Sequence, residues 1–253
     1  MSEHLISVHQ PVPRITVITL NRPEKRNALN IALIEQLHDA IAAAEHQNGR
    51  AIVLRANGPS FCAGLDLTEA EAPEFRDRSA AALAALYETL ASSPLITIAA
   101  PHGAAMGGGA GLVAACDFAL GADDLRLAYP EVHRGLVAAL VTCLLRRQLS
   151  DGAARNLILL GQTLDATAAR SMGLITRVIP RGDLDRASLQ FAEEAIQGAP
   201  GAIARTKRLL DQLAARPLKE DLNIALAHHM AARESAEAAE GLAAFREKRP
   251  PRW

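Results

Sequence analysis

Aromatic side chains are scarce in this chain, only 3% of its 253 residues, so its interior has to be built from Ala, Leu, Ile and Val. A core rich in alanine favours closely packed helices. Cysteines are few and far apart: Cys62, Cys116 and Cys143 form no paired motif. That excludes a disulfide scaffold and suits a reduced, cytoplasmic setting. Charge of one sign is also lacking. The net charge is −1 and there is no basic stripe, which argues against a nucleic-acid partner. No apolar run approaches the length of a membrane span, so no membrane partner is expected. The opening Met-Ser-Glu-His-Leu-Ile-Ser has an early acid and neither an apolar signal core nor an Arg-rich transit pattern. Metal-ligand spacing is absent: His228 and His229 are adjacent and point apart on a helix, so no metal is expected. A nucleophile-elbow serine and a P-loop lysine are missing too.

What is present is organised around the stretch from Pro94 to Glu131. Leu95–Ala100 reads as a buried strand broken by Pro101 and Gly103. Gly107, Gly108 and Gly109 then open an Ala/Leu/Val-rich helix to about Cys116. Glycines at a helix start leave backbone N–H groups unpaired and unshielded, with the positive end of the helix dipole behind them. Such groups suit a phosphate or a developing oxyanion.

Around it, strands are expected at Ile15–Leu20, Ala51–Arg55, Phe118–Leu120, Arg126–Ala128 and Thr176–Ile179. Helices are expected from Asn30, as cap, to about His46, and at 79–91, 138–149, 151–160 and 165–172. The acidic stretch Thr68–Asp77 reads as a mobile loop. After Ile179 the chain looks helical throughout: 183–197, 201–214, 218–234 and 237–247. Strands alternating with helices and then helices alone predict an α/β core, residues 1–198, with a helical region at 199–253. No internal repeat is seen.

Three motifs carry the chemistry. Gly109-Ala110-Gly111-Leu112-Val113-Ala114 fits a dinucleotide fingerprint, but the acid that should end the next strand is missing: Gly121 stands there, and Glu131 comes only after a further strand and a proline. The plainer alternative, glycines that allow tight helix–strand packing, explains one or two of these glycines better than four in five positions. Glu131 follows Pro130 among Tyr129, Val132, Leu136 and Val137. It is either an ordinary surface acid or one desolvated into a useful acid–base range. The turn Phe61-Cys62-Ala63-Gly64-Leu65-Asp66 offers a second exposed N–H past a glycine. Cys62 reads as a small buried filler, and His102 and His133 as loop or core histidines.

Together these pieces resemble the enoyl-CoA hydratase/isomerase (crotonase) superfamily, over almost the whole length. The resemblance runs through Asn21-Arg22-Pro23 with Asn27-Ala28-Leu29, Phe61–Asp66, Ala99–Gly109, Ala114-Ala115-Cys116-Asp117, Pro130-Glu131 with Gly135-Leu136, Ala168-Ala169 to Gly173-Leu174, and Gly241–Arg249. It implies a crotonase-like spiral of ββα units with a C-terminal helical region that packs trimers, often paired into hexamers. It also implies an acyl-CoA thioester substrate, with CoA as part of the substrate and no separate cofactor. By the same resemblance, the N–H groups of Leu65 and Gly108 form an oxyanion hole and Glu131 handles the proton beside the thioester. Lys25, Arg26, Ala28, Ala63 and Asp66 border the CoA, and Phe245 and Lys248 reach it, often from a neighbouring subunit.

The sequence departs from the family pattern in places. Family hydratases carry two glutamates, and Gly111 stands where the first belongs. Three residues past Gly108 is the same helix face, so a gap beside the oxyanion hole is expected there, and Gly111→Glu is expected to raise hydration. Thr68 replaces a frequent CoA-phosphate lysine, and Ala138 and Val141 replace the usual Pro and Gly. One carboxylate suffices to move a proton between the α- and γ-carbons, which is Δ3,Δ2-enoyl-CoA isomerisation. The Gly-Gly-Gly-x-Gly-Leu-Val-Ala and Glu-Val-x-Arg-Gly-Leu runs instead resemble family branches described as hydratases, where a single glutamate and a backbone-held water serve. Hydratase leads, isomerase follows, and a catalytically silent acyl-CoA-binding protein is the third expectation.

Overall fold

A computed structural model describes residues 4–214 and 216–252, without the side chains of residues 70 and 71. Met1–Glu3, on which the N-terminal reading partly rests, lie outside the described residues. The elements follow in order: β1 (Ile6–Val12), β2 (Ile15–Leu20), α1 (Ile31–His46), β3 (Ala51–Ala56), α2 (Leu67–Glu71), α3 (Pro73–Ser92), β4 (Ile96–Ala99), β5 (Ala104–Met106) and α4 (Gly108–Ala115). Then come β6 (Phe118–Ala122), β7 (Arg126–Ala128), a 3-10 turn (Pro130–Arg134), α5 (Ala139–Gln148), α6 (Asp151–Leu160), β8 (Leu164–Asp165), α7 (Ala166–Ser171), β9 (Arg177–Ile179) and α8 (Leu184–Ala195). Three helices close the chain: α9 (Pro200–Gln212), α10 (Leu218–Arg233) and α11 (Ala236–Glu247).

The main sheet has the order β1-β2-β3-β4-β6-β9, parallel except for β1. Parallel strands covered on both faces read as continuous apolar runs, and every residue of β2 is buried. The period of two then sends Ile15, Val17, Val53 and Ile98 toward α8, where they meet Leu184 and Phe191. Ile18, Leu54 and their neighbours enter the larger core with α1, α3 and α4. Three strands form a second sheet, β5-β7-β8, and a parallel bridge from Cys62 to Ala105 extends it. Each turn of the chain thus lays one strand in the main sheet, one extended segment in the second layer and then a helix. β3, Cys62 and α2–α3 make the first such turn; β4, β5 and α4 the next; β6, β7 and α5 the third.

Several expectations are corrected here. Thr68–Asp77 is not a loop. The Asp66 side chain accepts from the Thr68 N–H and caps α2, and Pro73 at the first turn of α3 starts a helix of 20 residues. β1 was not anticipated: as an edge strand, its residues are mostly exposed and show no apolar alternation. β5 was hidden in what reads as a proline–glycine break. Elsewhere the cap at Asn30, whose side chain accepts from Leu33 N at 3.0 Å, is where the sequence places it.

Candidate active site

The site begins where two turns of backbone meet. Leu29 N donates to Gly64 O (2.8 Å), Asp66 N to Leu29 O (2.9 Å) and Ala63 N to Arg26 O (3.0 Å). This short ladder joins the 22–29 turn to the 61–66 turn. It is braced by two side chains that the sequence reading treated only as part of a turn and of a motif. Arg22 Nη1 reaches Asp66 Oδ2 at 2.6 Å and Ala28 O at 3.1 Å. Asn27, fully buried, donates to Asn57 O and Ser60 O, both at 2.9 Å, and its Oδ1 accepts from Arg22 N at 2.8 Å. The ladder ends at Leu65, whose N–H donates to no protein acceptor among the described residues.

The start of α4 packs against this turn closely enough to require glycine. A Cβ on Gly109 would fall 2.3 Å from Cys62 O. Gly107, with φ +49°, turns the chain into the helix, and its N–H is held by Ala128 O at 2.9 Å. Gly108 is the first helical residue, so its N–H is one of the donors without an intrahelical partner. A Cβ on Gly108 would stand 3.5 Å from Leu65 N, and a Cβ on Gly64 would stand 3.5 Å from Gly108 N. The two amides therefore flank one small space. Gly109 and Gly111 face protein atoms rather than an open cleft. The pyrophosphate seat of the fingerprint is absent.

Glu131 sits in the 3-10 turn after β7. Its Oε1 lies 3.1 Å from the point a Gly107 Cβ would take, next to the Gly108 amide. Its Oε2 is buried with no hydrogen-bond partner among the described residues. Burial pushes this carboxyl up to about 7, against the smaller opposing effects of its own N–H and of Arg134. α11 clamps the turn: a Cβ on Gly241 would meet Arg134 O at 2.3 Å, and the Arg134 guanidinium lies 4.4 Å over the Phe245 ring. Phe245, 48% exposed, thus stands against Arg134 of its own chain, in the turn that carries Glu131.

The expected gap at Gly111 does not exist. A Cβ there would fall 2.0 Å from Tyr87 Oη and 2.8 Å from Val141 Cγ1. Tyr87 comes from α3 and is fully buried, and its hydroxyl donates to Gly108 O at 2.8 Å. In the sequence it reads only as one more apolar position on a helix.

Of the remaining site candidates, Lys25 and Arg26 are exposed on the first turn, Ala28 is half-buried, and Ala63 is exposed on the second. Asp66 is engaged by Arg22 and by the α2 cap. Lys248 is exposed at the end of α11 with φ +53°. His102 is buried, with a ring nitrogen 3.0 Å from Gly58 O, and Cys62 bonds to Asn27 O at 3.0 Å with its thiol pushed up to about 12 by burial. Both are structural. A cavity of about 1060 Å³ lies at the other end of α4. There Lys207 pairs with Asp117, and Arg147 with Asp211 and Asp221; the cavity does not reach Glu131. A smaller one, about 220 Å³, is lined by Leu67 and Leu136, which follow Asp66 and Glu131 closely in the chain. Among the described residues no His/Cys/Asp/Glu cluster could hold a metal, and no helix is long and apolar enough to cross a membrane.

A stacked ββα spiral with an amide-lined cleft at the helix starts is the architecture of crotonase-fold enzymes. An enoyl-CoA hydratase structure from Mycobacterium avium superposes with a TM-score of 0.88 at 33% identity, covering 98% of each chain. A carnitinyl-CoA dehydratase from Mycobacterium avium 104 gives 0.84 at 31%, again covering 98% of each. In sequence, a Thermus thermophilus protein with a provisional enoyl-CoA hydratase name is 37% identical over 246 residues, 94% of this chain and 97% of that one. A Mycosarcoma maydis enoyl-CoA isomerase/hydratase is 32% identical over 251 residues, 92% and 90% of the two chains. The profile for enoyl-CoA hydratase/isomerase matches residues 13–253, and the chain belongs to that family.

Proposed function

We propose that this enzyme hydrates 2-trans-enoyl-CoA reversibly, through a thioester enolate, with Glu131 as the sole acid–base group. The observation that carries the reading is the buried Glu131 carboxyl, with Oε1 against the Gly107 backbone at the start of α4, Oε2 without a hydrogen-bond partner among the described residues, and burial pushing it up to about 7. The thioester oxygen sits between the N–H groups of Leu65 and Gly108. Ionised Glu131 takes a proton from water as the water oxygen bonds to the β-carbon, and the double-bond electrons move onto the thioester oxygen. The protonated Glu131 then gives the same proton to the α-carbon as the enolate collapses. Water adds across one face, and the carboxylate is regenerated. A group near neutrality does both steps with little driving-force penalty, and two preorganised donors stabilise the enolate where its charge develops. The names of the similar proteins agree with this chemistry.

Lys25, Arg26, Ala28, Ala63 and Asp66 border the CoA in this reading, and Phe245 and Lys248 contact it. The acyl chain runs toward Leu67 and Leu136. CoA is carried by the substrate, and no separate cofactor takes part. Residues 1–198 form the core, and the helices of 199–253 pack homotrimers or hexamers of a cytoplasmic protein.

One observation favours a second reading. Tyr87 fills the place of another carboxylate, and the remaining one can move a proton from the α- to the γ-carbon of a 3-enoyl-CoA. Crotonyl-CoA and a 3-enoyl-CoA separate the two. Loss of conjugated enoyl-thioester absorbance marks hydration, and its appearance marks isomerisation. Tight acyl-CoA binding with neither change would mean a silent binding protein.

A further inference from the structure

The first turn of α4 is held by two phenols from different elements. Tyr87 donates to Gly108 O at 2.8 Å, and Tyr129, two residues before Glu131, donates to Ala110 O at 3.2 Å. Both side chains are fully buried. Burial, with the nearby Tyr129 and Glu131 adding to it, holds the Tyr87 hydroxyl well above the usual phenol range, so it remains a neutral donor. Glycine backbone is the freest there is, and residues 107–109 are all glycine. The peptide that carries the Gly108 N–H is held at its carbonyl by Gly111 N (2.9 Å), so what is left to fix is the glycine backbone on either side of that peptide. Ala128 O holds Gly107 on one side of it, and Tyr87 holds Gly108 by its carbonyl on the other. Leu83, one turn before Tyr87 on α3, meets the same glycine, with its Cδ2 3.2 Å from a would-be Cβ.

We propose that Tyr87 is a positioning residue for the enolate chemistry above. Its hydroxyl pins the Gly108–Gly109 peptide and so fixes the Gly108 backbone from which the preceding N–H points at the thioester oxygen, and its ring bars a second carboxylate from position 111. This rests on the enolate reading, and the experiment separates the two. Tyr87→Phe keeps the ring and removes the donor. Acetoacetyl-CoA, which ionises to an enolate with its own absorbance, reports on the oxyanion site; butyryl-CoA, which does not ionise, reports on CoA binding alone.

The expected result for Tyr87→Phe is a fall of about tenfold in kcat with KM within about twofold, the scale of one neutral hydrogen bond. The enolate absorbance of bound acetoacetyl-CoA falls by a similar factor, and butyryl-CoA affinity is unchanged. Tyr87→p-aminophenylalanine, which restores a donor on the same ring, recovers kcat. It also stands as the deciding variant should Tyr87→Phe fold poorly. Wild-type kcat and enolate signal in Tyr87→Phe, or equal loss of both ligands in a folded variant, overturns the positioning role. Absence of any enolate signal in the wild-type protein overturns the enolate reading itself and this role with it.

Discussion

The Glu131 carboxyl lies against the backbone of Gly107: its Oε1 is 3.1 Å from the position a Cβ there would occupy, and its Oε2 is buried with no partner among the described residues. The price of this placement is a desolvated charge. The folded value of about 7 exceeds the ordinary 4.5, so the folded state holds this proton more tightly than the unfolded chain does. Stability from this group is therefore full below pH 4.5 and is lost as pH rises to about 7. The shift amounts to about 3–4 kcal/mol. Glu131→Gln should abolish turnover, with a loss of roughly a thousandfold or more. It should also melt higher than the wild type at pH 8, with the difference vanishing near pH 4. A variant that turns over normally sinks the assignment.

Turnover should carry the same signature. In the proposed mechanism the ionised carboxylate starts the forward reaction, so kcat/KM for crotonyl-CoA should rise with pH and level off above about 7. A rate that is flat from pH 5 to 8 would assign the base elsewhere.

Gly108→Ala tests the two amides without touching the acid. The new methyl would stand 3.5 Å from Leu65 N, in the space between the donors, while its tightest neighbour is the flexible Leu83 Cδ2 at 3.2 Å. The fold should survive, and kcat should fall on the order of a hundredfold, the usual cost of a lost oxyanion donor. Circular dichroism and steady-state rates on one preparation decide it.

Gly111→Glu should not raise hydration. Its Cβ would collide with Tyr87 Oη and Cζ, at 2.0 and 2.4 Å, inside a packed core. Overpacking of this kind costs about 1–3 kcal/mol or more, so the variant should melt lower and be less active. Combined with Tyr87→Ala, the two penalties should be strongly non-additive, because the small residue leaves room for the large one.

Arg22→Met should loosen the edge assigned to CoA. It removes the 2.6 Å contact to Asp66 and the 3.1 Å bond to Ala28 O, and so leaves Asp66 short of its partner. KM for acyl-CoA substrates should rise several-fold with kcat little changed. A pure kcat effect would show that the turn serves the chemistry instead.

The legible parts were those written in short spans. Asn30 caps α1 because its side chain can reach an N–H three residues on, and the short, β-branched, mostly apolar runs of β2 and β3 read as buried strands. The glycines at 107–109 and the Pro130-Glu131 step are likewise local, since backbone freedom and a carboxyl among apolar neighbours are properties of a few adjacent residues. β1 escaped because an exposed edge strand has no alternation to read, and α2 escaped because its acidic residues look like solvent-facing loop.

What the sequence determined by itself was the family resemblance, an α/β core followed by helices, and the glycines and the acid that mark the candidate site. Only the tertiary structure decided what stands beside them. Arg22 meets Asp66 across 44 residues, and α3 lays Tyr87 over the start of α4, turning an expected vacancy into a filled, hydrogen-bonded seat. The physical reason is that a helix stripe states only that a face is buried. Which atoms it is buried against depends on how two helices cross, and that is set by every other contact in the core.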